Sequence, residues 1–149
     1  ETLGQSRAYQ KPFRQQRCIV PVSGYYEWKK EGAKKLPYYI EPNEQPGFAF
    51  AGLWDRWQND EQVIESTTIV TTAATPSMSS IHHRMPVHLN SDQALQWVSA
   101  DTRVDVLESL LLPEVRTSIR VTPVSTIVNN ARNKDERCIE PIGDPWLLE

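Results

Sequence analysis

Two segments hold the residues best suited to moving protons, SGYYEWKK (Ser23 to Lys30) and SSIHHRMP (Ser79 to Pro86). Read as a strand, the first alternates its side chains, so Tyr25 and Glu27 share one face and Tyr26 and Trp28 the other. Strands rarely favour glutamate, and a carboxylate beside aromatic rings has its charged form disfavoured, which raises its pKa. A histidine titrates near neutrality without such help. Glu27 and His82 would therefore form a working acid–base pair. Each has a plainer reading. Glu27 could pair with a Lys or Arg on a wet sheet face, and His82 could be satisfied by loop backbone. The expected arrangement has Tyr26 and Trp28 packing the strand into the core, with Glu27 facing a cleft that Tyr25 helps to shape.

Other chemistries find less support. His82 and His83 are adjacent, so in a regular element they point apart and make a poor metal pair. There is no CxxC or HxxxH spacing, no P-loop and no dinucleotide fingerprint, and no cofactor is expected. No nucleophile is obvious. The chain lacks a G-x-S-x-G elbow, and Cys18 and Cys138 lie in apolar segments where thiols are inert packing. Ser23, Ser79 and Ser80 qualify by sequence proximity alone. A sugar hydrolase would need a second carboxylate close to Glu27, and Asp55 and Glu61 are candidates without positional support.

These residues need elements to hold them. RCIVPV, GYYEWKK, LPYYIEP, PGFAFAGLW and ESTTIVTTAA read as strands, with EGAKK as the turn of a hairpin. Thr75 and Pro76 predict the start of a short helix ending near Ile81. MPVHL reads as a further strand. NSDQALQWVSA predicts a helix capped by Ser91, with Ala94, Leu95 and Val98 as its apolar stripe. DTRVDVLESLLLP predicts another, capped by Asp101 and stopped by Pro113. TSIRVTPVS is a strand, TIVNNARNKDE a polar loop and RCIEPI a last strand, while residues 1 to 16 are irregular with one helical turn. Strands dominate and helices cluster late, so the expected class is α+β, a single domain over residues 1 to 149 with a mainly antiparallel, curled sheet.

With 149 residues, 39% hydrophobic and 23% charged, the chain is of a size and composition for one globular core. No apolar run approaches the ~20 residues of a membrane span and no signal peptide opens it, so the expected location is cytoplasmic or nuclear. Net charge is -3, unevenly spread. Residues 1 to 36 carry eight Lys or Arg against three Glu, a local +5 that suggests an anionic partner. Lys29 to Lys35 also read as a solvated hairpin tip around Gly32. Arg7, Lys11, Arg14 and Arg17 lie on a separate segment.

The strings RCIVPVSGYYEWKKEG, FAFAGLW, TTIVTTAA, IHHRMPV and VTPVSTIVNN, in this order, resemble the SOS response-associated peptidase (SRAP) family, from Glu1 to about Ile142. The resemblance implies one α+β domain whose bent sheet closes into a pseudo-barrel, with a positive cleft for single-stranded DNA. It implies a monomer with no cofactor, acting in the DNA-damage response on abasic sites. Family members form a covalent thiazolidine with the ring-opened sugar through an N-terminal cysteine. By motif, Glu27 corresponds to the glutamate that assists proton transfers. His82 corresponds to the histidine that promotes sugar ring opening and, in some members, reversal of the crosslink. Arg7 and Arg84 correspond to residues at the DNA backbone, and Thr71 to a cleft position.

The family's N-terminal cysteine and catalytic asparagine have no counterpart here. Glu1-Thr2 matches the tail of an N-A-R-x-E-T string, so the chain is expected to be the latter two-thirds of a family member. The leading expectation is an abasic-site processing protein whose cysteine lies upstream, with lyase-like chemistry and autoproteolysis confined to its own N-terminus. A non-enzymatic single-strand binding module, stacking bases on Tyr25, Tyr26 or Trp28, is the alternative.

Overall fold

A computed structural model describes residues 3–148. In chain order the elements are α1 (Gln10–Gln15), β1 (Arg17–Val22), β2 (Tyr25–Glu31), β3 (Lys34–Pro42), β4 (Phe48–Gln58), β5 (Val63–Ile69) and β6 (Thr71–Ala73). There follow β7 (Arg84–Pro86), β8 (His88–Leu89), α2 (Ser91–Val98), α3 (Val104–Ser109), β9 (Ile119–Pro123) and β10 (Trp146–Leu148). The class is α+β with antiparallel sheets, as expected. The strand orders β1–β4–β5, with β8 beside β4, and β10–β9–β3–β2 are open, and among the described residues neither closes into a ring. Backbone contacts divide the chain into two compact units. No helix is long and apolar enough to cross a membrane.

The first unit comprises the stretch ending at Pro21, Ala49–Ala73 and Pro86–Arg116. Its core gathers Phe13, Leu53, Val87, Trp97 and Leu107. Helix α2 is capped by Asn90, not Ser91: the Asn90 side chain accepts from the Gln93 amide while Gln93 reaches back, a reciprocal capping box. The expected stripe is also displaced. Leu95 and Val98 are exposed at 69% and 45%, whereas Trp97 is fully buried. Trp97 offers the larger apolar surface, and its Nε1 donates to the carbonyls of Cys18 (3.1 Å) and Gly52 (3.2 Å). That tether sets the rotation of a two-turn helix. Helix α3 begins after Arg103, so Asp101 does not cap it.

The second unit comprises Val22–Phe48, Ala74–Met85 and the chain from Thr117 on. Strands β2 and β3 pair from Tyr25↔Ile40 to Glu31↔Lys34. Gly32 closes their turn at φ +60°, a conformation an L side chain rarely adopts. At the other end, a Cβ on Gly24 would meet the Tyr39 ring at 2.4 Å, so glycine lets β2 enter close to β3.

Three sequence expectations change here. The Thr75–Ile81 helix is a single 3-10 turn, Met78–Ser80, preceded by Ser77. RCIEPI opens in a 3-10 turn, Glu136–Cys138, capped by Asp135, keeps one antiparallel bridge, Pro141 to Val124, and the last strand is Trp146–Leu148.

Candidate functional site

Strand β2 and the turn before β7 bring Glu27 and His82 together, both within the second unit. His82 Nδ1 stands 3.8 Å from Glu27 Oε2, with the glutamate side chain 20% exposed and the histidine 35%. Burial pushes the Glu27 carboxyl above its ordinary range. The positive end of His82, the Trp28 backbone and His83 pull it partly back. The same Nδ1 lies 3.1 Å from the Arg84 carbonyl and 3.2 Å from the Arg84 amide. When neutral it can accept from that N–H, and when protonated it can donate to the carbonyl while its charge faces Glu27. The ring is thereby held through Nδ1 by its own turn in either charge state.

A cavity of about 490 Å³ adjoins the pair, lined by Glu27, Trp28, Lys30, Lys35, His82 and Asn129. Glu27 is the one carboxylate among the described residues lining it, so the second acid of a sugar hydrolase is not supplied. Asp55 instead accepts from Gln16 on strand β4, and Glu61 sits in the β4–β5 turn beside Asn59.

The aromatics of β2 pack otherwise than expected. Tyr25 is the aromatic that packs inward, edge-on to Phe48 at 5.9 Å, and burial beside Glu27 holds its phenol well above the ordinary range. Tyr26 and Trp28 form an aromatic row on the more open face, with Tyr26 5.3 Å from Tyr39 and 6.2 Å from Trp28. Trp28 Nε1 donates to Asn129 Oδ1 at 2.6 Å, which fixes the indole at the cavity wall. Asn129 was not singled out by sequence. Its signal was the polar VNN run just after a strand, but a long-range partner is invisible in one dimension.

The histidine rings do not point apart. Their centroids are 4.4 Å apart, because they lie in a turn and not in a strand. Among the described residues no group of three or more His, Cys, Asp or Glu side chains could hold a metal. Burial raises the Cys18 thiol, which keeps it protonated and unreactive, and Cys138 is buried. Arg84 joins Glu27 and His82 in the second unit, where its backbone orients the imidazole. Arg7 and Thr71 belong to the first unit, both exposed, Arg7 in a turn before α1 and Thr71 opening β6.

A carboxylate and an imidazole thus meet at a lysine-edged cavity on an antiparallel α+β fold. The chain belongs to the SOS response associated peptidase (SRAP) family, whose pattern matches residues 1–131. It is 36% identical over 143 residues to the abasic site processing protein YoqW of Bacillus subtilis, covering 94% of this chain and 64% of that one. The abasic site processing protein HMCES of Gallus gallus is 31% identical, over 95% of this chain and 48% of its own. A crystal structure of a protein from Bacteroides thetaiotaomicron matches with a TM-score of 0.85 at 29% identity, over 94% and 62% of the two chains. The chain thus spans less than two thirds of these relatives.

Proposed function

We propose that this protein processes abasic sites in single-stranded DNA, with Glu27 and His82 moving the protons. The observation that carries the reading is the 3.8 Å approach of His82 to a half-buried carboxylate whose pKa is raised. An abasic deoxyribose is a cyclic hemiacetal. Opening it takes a proton from the C1′ hydroxyl and returns one to the ring oxygen. A carboxyl whose pKa burial raises, with an imidazole beside it, suits these two transfers. The aldehyde so released condenses with an N-terminal cysteine, whose amine and thiol close a thiazolidine and expel water. That cysteine is assigned to a segment preceding Glu1. The relatives named for abasic site processing, and the family membership, support the substrate. The lesion lacks a base to read, which suits a site that grips the backbone rather than base edges.

The test is a denaturing gel of the whole protein mixed with an oligonucleotide bearing one abasic site, beside a matched intact strand. A band that survives denaturation with the abasic strand alone is expected. Equal, purely non-covalent binding to both strands would replace this reading with a single-strand binding module, for which Trp28 and Tyr26 already offer stacking surfaces.

A further inference from the structure

Lys30 and Lys35 face each other directly across the β2–β3 hairpin. Residues opposite in an antiparallel pair project to the same side, so these two ammonium groups share one face. Like charges so placed destabilise a sheet. Their neighbour Lys29 has a carboxylate, Glu31, at 3.1 Å. Among the described residues no ion pair is recorded for Lys30 or Lys35. Both line the 490 Å³ cavity, on the same side of the hairpin as Trp28. Lys30, Trp28 and His82 also wall a second hollow of about 260 Å³ together with Ser79, Ser80 and His83. The hairpin tip therefore divides two adjoining spaces, and each has the acid–base histidine at its border. A merely solvated tip would not need its two facing lysines at the cavity wall, nor an indole locked beside them by Asn129.

We propose that Lys30 and Lys35 form a two-lysine clamp for one backbone phosphate of the DNA strand, flanking the lesion. The clamp would hold the strand in register while Glu27 and His82 act on the sugar. Glu27 and Lys30 lie three positions apart on β2, about 10 Å at ~3.3 Å per residue, and both border the cavity although alternation turns their side chains to opposite faces of the strand. That distance is too long for the lesion's own sugar and suits a neighbouring phosphate. One phosphate between the two ammonium groups neutralises their mutual repulsion, and lysine provides point charge without reading sequence. This inference rests on the proposed function, because it takes the ligand of the cavity to be a DNA strand.

The test measures binding of the whole protein to an oligonucleotide carrying a tetrahydrofuran abasic analogue, which cannot ring-open, across a range of salt. Each linkage is then replaced in turn by a neutral methylphosphonate. For the double variant Lys30→Gln/Lys35→Gln, the slope of log affinity against log salt should become shallower by about 0.7, the value for one neutralised phosphate on a single strand. One methylphosphonate near the lesion should weaken binding to the unaltered protein and leave the variant's unchanged. An unaltered slope, or methylphosphonate losses equal in both proteins at every linkage, overturns the clamp. Both substitutions lie on exposed side chains, and a melting temperature checks that the variant is folded. Crosslinking of a reactive abasic strand by the unaltered protein is scored alongside. Crosslinking with an unchanged slope sinks the clamp and keeps the function. A changed slope without crosslinking keeps the clamp and sinks the function.

Discussion

Side chains of Arg17, His88 and Arg116 in the first unit and the lysine-edged cavity in the second use basic groups to opposite ends. In the first unit Arg17 donates to the carbonyls of Phe13, Arg14, Trp97 and Ser99, at 2.5 to 2.8 Å. Those carbonyls lie at the ends of α1 and α2, where backbone acceptors lack helical partners, so the guanidinium closes both helices. His88 is 2% exposed and stacked on Phe50 at 5.2 Å, and Arg116 donates to its carbonyl at 2.6 Å. Burial, helped by Arg116, lowers its pKa to about 4, so it stays neutral. In the second unit His82 is half-exposed, faces a carboxylate, and has one nitrogen held by its own turn. A polar group saturated by backbone is architecture; one held on a single side and left facing a cavity can react.

The comparison predicts that substitutions in the two regions separate activity from stability. Glu27→Gln should slow abasic crosslinking at least ~100-fold, the lower end of what a positioned acid–base group contributes. It should leave the melting temperature unreduced, since it removes a charge that burial disfavours. An unchanged single-turnover rate would remove Glu27 from the mechanism. Trp97→Ala should do the reverse. It should cost about 3–5 kcal/mol in urea unfolding, through the cavity left and the loss of its two hydrogen bonds.

The imidazoles sharpen the contrast through pH. The folded pKa of His88 is depressed from 6.5 to about 4. Its contribution is therefore fully present above pH 6.5 and lost as pH falls through 4, to a total of about 3 kcal/mol. Unfolding curves between pH 7 and 4 should show that loss, and His88→Gln should flatten it. Glu27 has the opposite sign. Its raised pKa makes the folded state bind its proton more tightly, so stability is greatest below the ordinary carboxylate pKa and declines as pH rises through the raised one. The smallest effect is expected at the hairpin turn. Gly32→Ala should cost about 1 kcal/mol, because alanine at φ +60° is strained, and urea midpoints will resolve it.

Much of this molecule was legible in one dimension. The β2–β3 hairpin announced itself by alternation and a glycine turn, and the strands RCIVPV and LPYYIEP appear with nearly the expected bounds. Glu27 and His82 stood out by residue type and setting. Misreadings fell where two local solutions compete. Ser91 and Asn90 are both good caps, and the reciprocal bond to Gln93 decides for Asn90. RCIEPI looks as strand-like as RCIVPV, but Asp135 caps its start into a turn and a single bridge at Pro141 is all the pairing it keeps among the described residues.

By itself the sequence determined the class of fold, the hairpin, the acid–base residue types and the excess of positive charge near the N-terminal third. These follow from periodicity, turn chemistry and composition, which act over a few residues. Tertiary structure alone decided which face of β2 is buried, because alternation yields two faces without ranking them, and the packing of Tyr25 on Phe48 breaks the tie. It also decided the 3.8 Å meeting of residues 55 positions apart, the lock of Asn129 on Trp28 from 101 positions away, and the placing of Lys30 and Lys35 at a cavity wall. Distance along the chain carries no information about such encounters. They exist only once burial of the two units has set the paths of their strands.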